Sequence, residues 1–200
     1  MSAMRKPIVV SLTVALLSLA CSRGKAIVIG TADGASETQT AGSSQGELKF
    51  KVPDGWVVEH PTSSMRVAQY RLPKADGDSD DASLVLYYFG QGQGGSTEAN
   101  IDRWINQMQQ PDGKPSKERA KLETLTVNGL KVTTVDVAGT YSAEMSPGSG
   151  TFSNSGSYRL RAAVVETPKG SYYAKLVGPE KTVNRWDQAY TNYVKSFEFK

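Results

Sequence analysis

The sequence predicts an α+β fold, a central antiparallel sheet covered by helices, and three observations carry that prediction. Strand-like runs recur between residues 48 and 177, either alternating apolar with polar or continuously apolar. Two pairs of these runs are joined by tight turn signals, Asn128-Gly129 and Pro168-Lys169-Gly170. Only two stretches carry helical spacing, and strands separate them in the chain, which is the pattern of an antiparallel sheet with helices packed on it.

The elements follow in order. Leu48, Phe50 and Val52 alternate with polar neighbours as a first strand. In residues 65–72 one face holds Met65, Val67, Gln69 and Arg71, the other Arg66, Ala68, Tyr70 and Leu72, so the pattern leaves the inner face open. Ser83–Phe89 is almost wholly apolar, as a central strand covered on both sides should be. Leu122–Val127 and Leu130–Val137 flank Asn128-Gly129, a dipeptide that tolerates positive φ at both turn positions. Tyr158–Thr167 and Ser171–Val177 make a second hairpin, and Ser142–Ser157 reads as a long mobile loop.

The first helix is expected over residues 97–109, where Ile101, Trp104, Ile105 and Met108 fall on one face. Ser96 or Thr97 caps it, Glu98 suits its positive end, and Pro111 limits it. The second is expected as one helix over residues 179–195, with Pro179 in its first turn and Val183, Trp186, Tyr190, Val194 and Phe197 as its apolar stripe. Ser196–Phe199 then returns as a short closing strand.

The N-terminus has the layout of an export signal. Arg5 and Lys6 precede an apolar run, Ile8–Ala20, too short to span a bilayer, and Cys21 follows Leu19-Ala20 directly. Residues 1–20 are read as a lipoprotein-type signal peptide and Cys21, the sole cysteine, as the lipid-bearing mature terminus. The segment resembles a bacterial lipobox, departing from it at Ser18, where leucine is most usual. By the same resemblance, Ser22 points to the periplasmic side of the outer membrane in a Gram-negative envelope. One cysteine forms no disulfide within the chain, so the fold rests on its own core. Residues 21–46, rich in Gly, Ser, Thr and Ala, read as the anchor cysteine and a flexible tether, with residues 26–29 available as an extra edge strand. Residues 47–200 form a single domain.

The chain carries 23 Lys+Arg against 20 Asp+Glu. Removing the signal removes Arg5 and Lys6, leaving a mature charge of about +1. No basic stripe remains to follow a phosphate backbone, and nucleic acid is not an expected partner.

Phe50-Lys51-Val52-Pro53-Asp54-Gly55-Trp56, a strand, a Pro-Asp-Gly turn and a tryptophan, resembles the opening of the PsbP-like domain, which is also that of DcrB-like lipoproteins and of the Mog-type Ran-binding factor. Tyr193–Phe197, where a last helix runs into a closing strand, and the order of elements between the two fit the same superfamily over residues 47–200. The stretch Phe89–Trp104 is similar to secreted bacterial proteins of this kind. The resemblance implies a three-layer α/β/α sandwich and a binding or assembly role, with no functional residue to carry across.

Several constellations invite chemistry. Gly90-Gln91-Gly92-Gln93-Gly94-Gly95 satisfies G-x-G-x-x-G between a strand and a helix, but an antiparallel hairpin follows in place of the βαβ crossover that dinucleotide sites need. No nucleotide or other cofactor is expected. Gly90, Gly92, Gly94, Gly95 and the nearby Arg103 remain as a candidate ligand or partner surface. Asp76, Asp78 and Asp80 are weak Ca²⁺ candidates, because the run lacks the EF-hand Gly and terminal Glu. His60 is the only histidine, too few for an ordinary zinc site. Glu98, Asp102, Asp136, Glu144 and Glu166 are available as paired carboxylates. The reading is a membrane-tethered, extracytoplasmic binding or envelope-assembly module, not an enzyme, held by its N-terminal lipid and meeting a protein or envelope partner. The alternative is an extracytoplasmic hydrolase using carboxylates or His60.

Overall fold

The computed structural model describes residues 38–41, 47–144 and 152–200. The segment read as a signal peptide, Cys21 and most of the segment read as a tether lie outside these residues. Among the described residues eleven strands pair antiparallel in two sheets. The small sheet has the order β1 (Thr38–Ala41), β2 (Leu48–Lys51), β11 (Glu198–Phe199). The large one contains β3 (Val57–Glu59), β4 (Arg66–Leu72), β5 (Ala82–Tyr88), β6 (Met108–Gln109), β7 (Lys121–Val127), β8 (Leu130–Glu144), β9 (Phe152–Thr167) and β10 (Gly170–Pro179). Its order is β3-β4-β5-β10-β9-β8-β6, with β7 pairing the first half of β8. The α+β class and the antiparallel sheet are as the sequence predicts.

Four boundaries differ from expectation, each for a local reason. The tether reading does not hold at residues 38–41, which pair with the open edge of β2. The first helix, α1 (Thr97–Ile105), stops one turn early. Met108 and Gln109 instead pair with Tyr141 and Thr140, and Gly139 lets β6 approach. A Cβ at Gly139 would lie 2.6 Å from the Gln109 carbonyl oxygen. The second helix is two, α2 (Glu180–Arg185) and α3 (Asp187–Lys195), broken at Trp186, whose indole N–H donates to the Pro73 carbonyl at 2.9 Å. The loop expected at 142–157 is largely ladder, since β8 and β9 continue pairing to Glu144 and Phe152 past a bulge. The Asn128-Gly129 turn has positive φ at both positions, 47° and 82°, as its sequence requires.

Period-two alternation in β10 distributes the core to two faces. Tyr172, Ala174 and Leu176 join a cluster with Val183, Tyr190, Tyr193 and Val194 of α2 and α3. Tyr173 joins another with Ile101, Trp104 and Ile105 of α1, over Val135, Leu160 and Ala162. In β4 the inner face is that of Ala68, Tyr70 and Leu72, all buried.

Tyr193 centres the first cluster, with ring centroids 5.2 Å from Phe50 and Trp56 and 4.9 Å from Phe197, mostly edge-on or tilted. Polar contacts hold the helices over it. Arg159 pairs with Asp136 and Asp187, and Arg161 reaches Asp187 at 2.9 Å while covering the Tyr190 ring. Replacing Phe50 by Ala removes the ring that couples β2 to α3. A loss of about 3–5 kcal/mol is expected in chemical denaturation, without change of fold by circular dichroism.

Candidate functional site

The alternation that sends Tyr173 toward α1 places Lys175 on the same row, two residues on. Opposite stand β5 and the residue after it, with Tyr87 and Phe89. From α1 and the turn beyond it come Asn100, Arg103, Trp104 and Gln107, at the i, i+3, i+4, i+7 spacing of one helical face. These eight residues line a cavity of about 220 Å³. Arg103 and Gln107 also line a more open groove of about 720 Å³ next to it. Aromatic rings form much of the small cavity. Tyr87 and Phe89 lie parallel at 5.9 Å, and Tyr173 meets Phe89 and Trp104 edge-on.

Its charge is one-sided. The Lys175 Nζ donates to Gln107 Oε1 at 2.6 Å and to the Tyr141 hydroxyl at 3.1 Å, and lies over the Tyr141 ring. Both acceptors are neutral. Arg103 donates to Asn100 Oδ1. No carboxylate lines the cavity, and among the described residues neither Arg103 nor Lys175 forms an ion pair. A third cation, Arg66, lies over the outer face of Tyr87 and donates to Gln69. Burial, and then the like charge of Arg103, push the Lys175 amine down to about 8. Burial first, then Tyr87, raises the Tyr141 phenol, which therefore keeps its proton at neutral pH.

The structure brings the predicted glycine loop to the back of this cavity and only Arg103 to its lining. Gly90, Gly92, Gly94 and Gly95 all have positive φ. A Cβ at Gly94 would stand 2.8 Å from Phe89 and from the Tyr173 hydroxyl. The loop's carbonyls are taken up internally. Asn100 donates from Nδ2 to the Gly94 and Ser96 carbonyls, and Tyr173 donates to Gly95. The loop thus works as packing that positions Phe89, Tyr173 and the start of α1. Ser96 caps that helix through the Ala99 N–H.

Asp78, Asp80 and Asp81 of the acidic run are held in hydrogen bonds within the fold. Asp78 accepts from the Thr182 N–H and hydroxyl at the start of α2, and Asp81 accepts from Arg71 and the Lys74 N–H. Asp80 accepts from Ser79 and Tyr158, and no cluster of three metal-ligating side chains occurs among the described residues. His60 is exposed. Asp136 is bound by Arg159, Glu166 pairs with Lys131, Asp102 pairs with Lys117, and exposed Glu98 sits in the first turn of α1. The side chain of Glu144, like Cys21, lies outside what is described. Sequence reasoning missed Lys175. The signal was present, because the row Tyr173, Lys175, Val177 sets a cation in an apolar, core-facing register.

No protein-family model matches the chain, and no curated protein matches it. Solved structures do resemble it. PsbP (CyanoP) from the cyanobacterium Synechocystis shares 12% identity, with 86% of this chain and 99% of that one covered at a TM-score of 0.49. LpqN of Mycobacterium tuberculosis, involved in cell envelope biogenesis, shares 12% over 82% and 91%, at 0.47. A Pseudomonas aeruginosa protein of unknown function shares 14% over 80% and 94%, at 0.43. One of the three bears the PsbP name of the superfamily that the sequence motifs resemble.

An unpaired ammonium in this position has a pH signature. The amine titrates near 10.5 in the unfolded chain and at about 8 in the fold. Between these values the unfolded state holds the additional proton, so stability rises with pH across the window; below it the ammonium is charged in both states and its desolvation is a constant cost. Lys175→Met keeps the apolar stem and removes the charge. It is expected to stabilise the protein at pH 7 by about 2–3 kcal/mol and to flatten the difference between pH 8 and 10.5, read by urea denaturation. Asp78→Ala, which uncaps α2, is expected to cost about 1 kcal/mol in the same measurement.

Proposed function

We propose that this chain is an extracytoplasmic, membrane-tethered binding module whose cavity beneath α1 takes a small anionic ligand without turning it over. The observation that carries the reading is the pairing of Arg103 with Lys175 in an aromatic-walled cavity that contains no carboxylate. A cation taken out of water without a counter-ion costs the fold stability, and such a cost is characteristic of functional sites. A carboxylate or phosphate entering the cavity would supply the missing charge, and the rings of Tyr87, Phe89 and Tyr173 would take up its apolar body. Helices on the two faces of the sheet, in the layered arrangement of an α/β/α sandwich, would leave this margin of α1 as the accessible edge. Export and the lipid on Cys21 rest on the N-terminal pattern: a short basic start, an apolar run and a small residue before the cysteine.

Trp104 reports on the cavity it lines. Titration with benzoate at pH 6.5 should give a saturable change in tryptophan fluorescence, and benzamide, its neutral counterpart, should not. Arg103→Gln and Lys175→Met should each weaken the response about tenfold, the scale of one charge-assisted contact. An equal response in the variants, or none in the wild type, would remove the reading.

A further inference from the structure

We infer that Lys175 captures carbonyl-bearing anions covalently, as an imine, with Arg103 holding the anionic group. This rests on the cavity being an anion site, and it names the class of ligand that site takes. An imine needs a neutral amine, a proton donor beside it and a means of orienting the carbonyl. The cavity supplies all three. Among the described residues the Lys175 Nζ has only neutral hydrogen-bond partners, Gln107 and Tyr141, so no carboxylate there locks it as an ammonium. The Tyr141 hydroxyl is 3.1 Å from Nζ. Arg103, from the opposite wall, carries the permanent charge that fixes an anion. A strongly hydrated surface lysine lacks these conditions, whereas desolvation beside a second cation is the standard way to activate a lysine nucleophile.

The step balances without a further reactant. The amine lone pair forms a C–N bond to the carbonyl carbon as the C–O π bond opens onto oxygen. A proton passes from nitrogen to that oxygen, with Tyr141 placed to relay it. The carbinolamine then loses its hydroxyl together with the second amine proton as water, leaving C=N. The groups facing the amine are Arg103 from α1, Tyr141 from β8, Tyr87 from β5 and Tyr173 on β10 itself. Of these the burial-raised phenols of Tyr141 and Tyr173 stay neutral at physiological pH. The amine at about 8 is thus the group whose titration sets the pH profile.

The test uses 4-formylbenzoate with sodium cyanoborohydride on the full chain, followed by peptide mass spectrometry. One reduced adduct is expected, on Lys175, forming faster as pH rises through about 8. Benzoate should protect against it, and Arg103→Gln should slow it about tenfold. Lys175→Arg should abolish it. The competition and site mapping need no variant, so a misfolded substitution does not shelter the idea. Adducts spread over surface lysines with Lys175 unmodified, or labelling indifferent to benzoate, would overturn it. If benzoate still binds in that case, the anion site stands and the covalent step falls.

Discussion

The burial of one ammonium group without a counter-ion organises the account of this protein. The chain shows two ways of placing a cation against its sheet. On the side of α2 and α3, Arg159 and Arg161 are only 18% and 16% exposed, and each is tied to Asp136 and Asp187. That arrangement compensates desolvation with charge and pins helix to sheet. On the side of α1, Lys175 has an amide oxygen, a phenol and the face of a ring, and the charge of Arg103 repels it. The first arrangement is complete within the chain. The second would be completed by something negative entering the cavity.

Strand β10 makes both arrangements possible. Its alternation sends tyrosines to both faces, so one strand serves two cores, and its pairing with β5 and β9 fixes their register. Lys175 lies opposite Val85 and Ala162 in that register, small or apolar neighbours that offer no charge. The glycine loop has its place here too. Its positive-φ residues let Phe89 and Tyr173 close together behind the cavity, and Asn100 ties the loop's carbonyls to α1, on whose next turn Arg103 stands.

Much of the fold was legible in the sequence because it rests on local rules: the Asn128-Gly129 hairpin, the apolar run of β5 and the Ser96 cap. What was not legible depends on partners far along the chain. Met108 leaves its helix because Tyr141 and Gly139 offer a ladder, and Trp186 breaks the second helix to reach Pro73. Residues 142–144 and 152–157 are polar enough to read as loop, yet each supplies the other's hydrogen bonds. Of the site, Arg103 was found by its place beside the glycine loop. Lys175 was passed over because its meaning depends on which acids are absent, and the carboxylates of this chain are assigned only once the fold pairs them. The role of Asp78 was hidden in the same way, since its capping of α2 spans over a hundred residues.

Lys175 carries its charge at a cost to the fold until an anion arrives to offset it. The direct measurement is its own titration, followed by NMR of the side-chain ε-carbon and amine in isotopically labelled protein. A midpoint near 8 is expected in the free protein, with a clear rise toward 10.5 when benzoate is bound. A midpoint already at the ordinary lysine value, unmoved by benzoate, would contradict it.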